Sequence, residues 1–354
     1  MQSSIRRYDI DSIRVLALCL LIFYHITLGF QPWGSLFFFI TNNDDLTILW
    51  NFMELINIWR IPILFVVSGM AVNFASRRRD LYQLVVDRTY RILIPLLFGM
   101  VFIVPVYLRI AQGYYGHDYS YWPNVGHLWF LGNIFVYVLL FSPVFYFYKN
   151  QHRNFADRAI SNIVQKPFGA LILFSLPLIM ESVIINPESY AGFAIYPIHG
   201  FITGGICFFM GYMFVSLDEK FWKSVRDIRF IILILAFSLY LVRVFDMLPT
   251  SLTILSVALT PFESVCWMLS TFSFGSLYLN RPSSLLSYLT PAVYPLYIVH
   301  MPLQFLFSSF IFTLAIPPVY KFVLVLLATY GGGLIIYEMV KKIKWGSTLL
   351  GIKV

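Results

Sequence analysis

"RRYDIDSIRVLALCLLIFYH", residues 6–25, begins with charge, continues through ten almost purely apolar residues and ends on a histidine. With the apolar residues that follow His25, the segment reaches the roughly 20 residues a helix needs to cross a bilayer. It therefore reads as a first membrane span, with an imidazole where the hydrocarbon is deepest. An ionisable group there is costly and by default marks function. Arg6 and Arg7 resemble the charged start of a secretory signal, but the run is long and no small-residue cleavage site follows, so it is read as a span.

The rest of the chain has the same character. Of 354 residues 59% are hydrophobic, 19% aromatic and only 12% charged, and the mean hydropathy is +0.76. Apolar runs recur from end to end, which excludes an ordinary soluble domain. The pattern predicts an all-α, polytopic integral membrane protein with about ten transmembrane helices. Their ranges are 13–32, 49–75, 92–110, 127–148, 168–186, 201–216, 230–247, 252–279, 286–312 and 317–340. The loops are too short to form a separate domain, so residues 1–354 read as one membrane domain.

Charge gives the orientation. All but five of the 25 Lys and Arg residues lie on the N-terminal tail or on alternate connections: Arg77–Arg79, Arg88 and Arg91, then Lys149, Arg153, Arg158 and Lys166, and so on to Lys353. The opposite connections, such as "AQGYYGHDYSYWPNVG", are almost free of them. The positive-inside bias makes both termini cytoplasmic, in a cell inner membrane. The bias and anionic headgroups absorb the net charge of +8, so no nucleic-acid partner is expected. Cys19, Cys207 and Cys266 all lie in apolar segments and read as buried hydrophobes, with no disulfide framework and no metal site expected.

The five remaining basic residues are Arg14, Arg60, Arg109, Arg243 and Lys321. The last three sit near outer span ends, where snorkelling is the expectation. Arg14 and Arg60 are deeper. On a helix, the eleven residues from Arg14 to His25 make about three turns, which puts both on one face some 16 Å apart. Asp11, one turn before Arg14, is spaced to hold its guanidinium. At a rise of about 1.5 Å per residue, Arg60, His300 and Glu181 reach depths similar to His25, and such groups need partners or water. His25 alone is as readily a helix-to-helix hydrogen bond as a reactive group; the company it keeps favours chemistry. Arg88 and Arg91 share a face at the start of the third span, and paired guanidiniums suit phosphate oxygens. His127 and Trp129 open the fourth span, where His127 reads equally as an interfacial residue or as a wall of the same cavity. No P-loop, nucleophile elbow or zinc-protease motif is present.

These residues together resemble the membrane acyltransferase-3 family: Arg14 and His25 after "YDIDSIR", "RIPILFVVSG" from Arg60, the Arg88/Arg91 pair, "HLWFL" from His127 and "YPLYIVHMPL" from Tyr294. The wording is most similar to the branch that succinylates periplasmic glucans, with a poor match in spans five to eight. The resemblance implies an O-acyltransferase that moves an acyl group from cytoplasmic acyl-CoA (acetyl-CoA or succinyl-CoA) to a hydroxyl of an extracytoplasmic glycan. It implies His25 as catalytic base, Arg14, Arg88 and Arg91 at the donor, and Arg60, His127, Trp129 and His300 around the reaction. Arg60 or His300 would stabilise the oxyanion, and Glu181 would line the substrate. A proton-coupled transporter of anionic or acylated metabolites, using the same His and Arg residues, is the alternative.

Overall fold

The computed structural model describes residues 6–150, 155–247 and 253–352. Arg153 and Lys353, which contribute to the charge bias, lie outside the described residues. Helix accounts for 79% of the structure, and there is no strand among the described residues. The helices are α1 (Tyr8–Leu28), α2 (Ile48–Ser76), α3 (Leu81–Tyr114), α4 (Trp129–Asn150), α5 (Phe155–Val164), α6 (Gly169–Ile185), α7 (Pro197–Ser216), α8 (Glu219–Asp227), α9 (Arg229–Val244), α10 (Thr253–Tyr278), α11 (Ser284–Ile311), α12 (Pro318–Val340) and the short α13 (Lys344–Leu349). Each of the ten predicted segments is a helix. Seven of them, α1 to α4, α7, α10 and α12, are long and apolar enough to cross a membrane, and an eighth is added if α5 and α6, bent by 108°, form one span. The other two differ: α9 has 16 residues, and α11 contains Pro291, Pro295 and Pro302.

In hydrocarbon every backbone polar group needs a partner, so a proline inside a span creates a problem at the carbonyl four residues earlier. Three times the chain solves it with a side chain from another helix. Pro62 leaves the Ile58 carbonyl to the Ser264 hydroxyl, 2.8 Å away. Pro261 leaves Val257 to Ser182 at 3.2 Å. Pro302 leaves Ile298 to the His127 imidazole at 3.1 Å. Within α3 the helix widens instead. Two π turns, Thr89–Leu93 and Gly99–Ile103, end two residues before Pro95 and Pro105, and the Met100 carbonyl released by the second accepts the Tyr121 hydroxyl.

The chain divides into two compact units. The first comprises Met1–Ala17, Glu54–Val85 and Val136–Leu286. In it α2 and α7 cross backbone to backbone, because Gly69 faces the Phe208 carbonyl and Gly211 faces the Val66 carbonyl, leaving no room for a Cβ at either. Phe145 stacks on Tyr212 with ring centroids 3.6 Å apart. Arg7 grips the fully buried Asp9 through Nε and Nη2 and lies 3.7 Å over the Trp222 ring, which ties the start of α1 to α8. Arg243 does not snorkel as expected. It forms a fork on Glu263, at 2.7 and 3.1 Å, and reaches Glu54 at 2.9 Å. With two carboxylates nearby, pairing inside the protein competes successfully with a reach to headgroups.

The second unit comprises Leu18–Met53, Val86–Phe135 and Ser287–Val354. Its α1–α2 connection is stitched to its helices. The Tyr115 hydroxyl donates to the Phe39 carbonyl at 2.8 Å, and the Lys321 ammonium donates to Asn42 Oδ1 at 3.1 Å and to the Phe312 carbonyl at 2.9 Å. Lys321 is thus buried at 5% exposure, where sequence predicted snorkelling; two oxygens already satisfy its ammonium.

Candidate active site

Three histidines from α1, α11 and the short 3-10 turn before α4 meet in the second unit. His25 Nδ1 lies 2.8 Å from His300 Nε2, with the two ring planes only 3° apart. His127 meets His300 edge to face, at a centroid distance of 5.2 Å and 89°. His300 is buried at 1% exposure, whereas His25 remains partly exposed.

Their hydrogen bonds assign the protons. His300 Nδ1 is 2.7 Å from the carbonyl of Tyr297, one turn earlier on α11, and a carbonyl only accepts. His300 therefore carries its proton on Nδ1 and presents a lone pair at Nε2. His25 Nδ1–H donates to that lone pair, so in neutral His25 the basic nitrogen is Nε2. With its one proton on Tyr297, His300 acts as acceptor from His25 and does not offer a proton to an oxyanion. His127 Nε2–H donates to the Ile298 carbonyl that Pro302 exposes, which leaves a lone pair on Nδ1. That nitrogen is buried and has no hydrogen-bond partner among the described residues.

The backbone around the imidazoles is held by polar neighbours. α1 ends three residues after His25, and Gly29 N–H turns back to Ile26, so the His25 carbonyl lacks its usual helical donor. Gln304 Nε2 supplies it at 2.7 Å, which makes Gln304 Oε1 an acceptor; it too is buried with no partner among the described residues. The Tyr297 hydroxyl donates to the His127 carbonyl at 2.5 Å, and Tyr107 meets the His127 ring at 5.5 Å. Gly99 admits the Leu128 side chain against α3, and so sets the turn that carries His127. The cluster is therefore rich in acceptors: His25 Nε2, His127 Nδ1 and Gln304 Oε1.

Towards the other end of the same unit, Arg88 and Arg91 flank Asp87. Asp87 lies 3.1 Å from Arg91 and 4.0 Å from Arg88, so the group carries a net charge of +1. Arg91 sits in the first π turn of α3, and such turns recur at functional sites.

Arg14 and Asp11 bond at 2.7 Å, as their spacing suggested, and Asp11 also takes two bonds from Arg6. Arg60 is in the first unit at 3% exposure. Trp129 belongs to the second unit, its ring edge-on to Phe130. Glu181 engages His199 in the first unit: Oε1 lies 2.7 Å from His199 Nδ1, while His199 Nε2–H donates to the Tyr190 carbonyl at 2.9 Å. Both side chains are buried, and burial pushes the Tyr190 phenol beside them well above its ordinary range. Glu181 thus has a partner in its own unit, which the apolar pattern of "LPLIMESVI" did not reveal.

Sequence reasoning passed over Tyr297, Gln304, Tyr107, Asp87 and His199. For the first two a signal existed: they stand three before and four after His300, on the same helical face.

A family model described as an acyltransferase domain, of the acyltransferase-3 type, matches residues 7–338. No curated protein and no solved structure matches the chain.

Proposed function

Since the chain belongs to the acyltransferase-3 family and is a membrane acyltransferase, we propose that it transfers an acetyl or succinyl group from acyl-CoA to a hydroxyl of an extracytoplasmic glycan, with His25 as general base. The membrane is the inner one, crossed about ten times with both termini cytoplasmic, in keeping with the distribution of Lys and Arg.

One observation carries the reading: the chain of hydrogen bonds from the Tyr297 carbonyl through His300 to His25. A sugar hydroxyl is a poor nucleophile until a base accepts its proton during attack, and neutral imidazole is suited to that at physiological pH. His25 Nε2 takes the hydroxyl proton as the oxygen attacks the thioester carbonyl. The C–S bond of the tetrahedral adduct then breaks, and the sulfur leaves as a thiol with the proton that Nε2 had taken. His300 keeps the lone pair at Nε2 and supports the transient imidazolium, as an orienting partner does in catalytic triads. The acceptor-rich surroundings favour a ligand with several hydroxyl donors, which a glycan provides. Arg88 and Arg91, with their net positive charge, fit the donor's phosphates.

The test is thiol release from acetyl-CoA and succinyl-CoA by protein reconstituted with envelope glycan, followed by mass spectrometry of the glycan. Glycan acylation that disappears in His25→Ala, with the melting temperature retained, is expected. Full activity in that variant overturns the assignment of the base.

A further inference from the structure

Tyr294 lies on the polar face of α11, and its hydroxyl does no work in the fold among the described residues. Tyr297 bonds to His127, His300 to His25 and Gln304 to the His25 carbonyl, and each follows the last by three or four residues. Tyr294 stands three residues before Tyr297 on this row. Its hydroxyl oxygen is buried and has no hydrogen-bond partner among the described residues. A buried hydroxyl left unpaired costs roughly 1–3 kcal/mol, so there is a reason to keep this one.

Its position says what the reason is. Arg88 lies within electrostatic reach of the phenol. The Tyr294 ring and the Arg91 carbonyl also approach a common point, lying 2.5 and 3.0 Å from where a Cβ on Gly351 would sit. Tyr294 therefore belongs to the arginine end of the site. From Tyr294 to His300 is six residues, about 9 Å along the helix axis.

We propose that the Tyr294 hydroxyl binds the donor's pantetheine arm, by a hydrogen bond to the second amide counted from the thioester. This rests on the acyl-CoA reading given above. Seven covalent bonds separate the thioester sulfur from the nitrogen of that amide, about 8 to 9 Å when extended. A thioester beside His25 and His300 thus puts the amide at the level of Tyr294, and the arm continues towards the arginines with its phosphates. The first amide falls between, along the stretch of Tyr297, whose hydroxyl is already engaged. A phenol can donate to the amide carbonyl or accept its N–H. The interaction fixes how far the arm advances, and so where the acyl carbon stops.

The experiment compares CoA with a CoA analogue in which two methylenes replace the second amide, by calorimetry on purified wild-type protein and Tyr294→Phe. Wild type is expected to bind CoA about tenfold more tightly than the analogue. Tyr294→Phe, with an unchanged melting temperature, is expected to lose that preference by weakening CoA about tenfold and leaving the analogue as it was. A variant that weakens both ligands equally makes Tyr294 a packing residue and overturns the proposal, and so does one that weakens neither. Wild-type protein that binds no CoA at all overturns the donor reading itself, a result distinct from either.

Discussion

His25 Nδ1 and His300 Nε2 lie 2.8 Å apart although 275 residues separate them in the chain. Because the second imidazole is anchored on its own helix at the Tyr297 carbonyl, the pair has a direction, with protons on both Nδ1 atoms and the basic lone pair on His25 Nε2. The reactivity proposed for one histidine is thus prepared by the other.

His300→Ala removes the acceptor that keeps the His25 proton on Nδ1. We expect kcat to fall roughly a hundredfold or more, the range over which a positioned base acts, with KM for the acyl donor little changed. Steady-state kinetics at saturating glycan check this. A fall in KM-limited rates alone would mean that His300 serves binding.

Activity should also depend on pH in one direction. The base works only while unprotonated, so the rate is lost as the pH falls far enough to protonate it and is retained above that. A profile of kcat/KM between pH 5 and 8 provides the measurement, and the acid limb should disappear from the residual rate of His25→Ala.

Arg88→Ala combined with Arg91→Ala leaves Asp87 without its guanidiniums and the site without its net positive charge. Affinity for CoA should drop by tenfold or more, while pantetheine, which has no phosphate, loses little. The wild-type affinity for CoA should weaken with added salt, and the double variant should show a flatter dependence.

Pro302→Ala restores a backbone N–H that can bond the Ile298 carbonyl, the group now available to His127. The expected result is a several-fold loss of kcat with no loss of thermal stability, since a helical hydrogen bond is gained while the imidazole loses its hold. An unchanged kcat would make the His127 contact incidental.

Glu181→Ala leaves His199 Nδ1 buried without its carboxyl partner, and a buried polar group left unsatisfied costs about 1–3 kcal/mol. A marked fall in melting temperature is expected, with Glu181→Gln closer to wild type because the amide can still hydrogen-bond. A melting temperature unmoved by Glu181→Ala would assign the residue to ligand contact instead of structure.

The amino-acid sequence by itself determined where the helices run. Apolar length and the avoidance of charge are local properties, and each of the ten segments read from them is a helix in the structure. The Asp11–Arg14 pair was legible for the same reason, since a helical turn places the two side chains together wherever the helix lies. Partners contributed by another helix were a different matter. That His25 meets His300, that the Ile298 carbonyl exposed by Pro302 receives His127, and that Glu181 meets His199 depend on which helices lie side by side and at what height. Hydropathy carries no such register, because one apolar face accepts many neighbours. Only the tertiary structure decided it, by bringing these polar groups to a partner within their own compact unit.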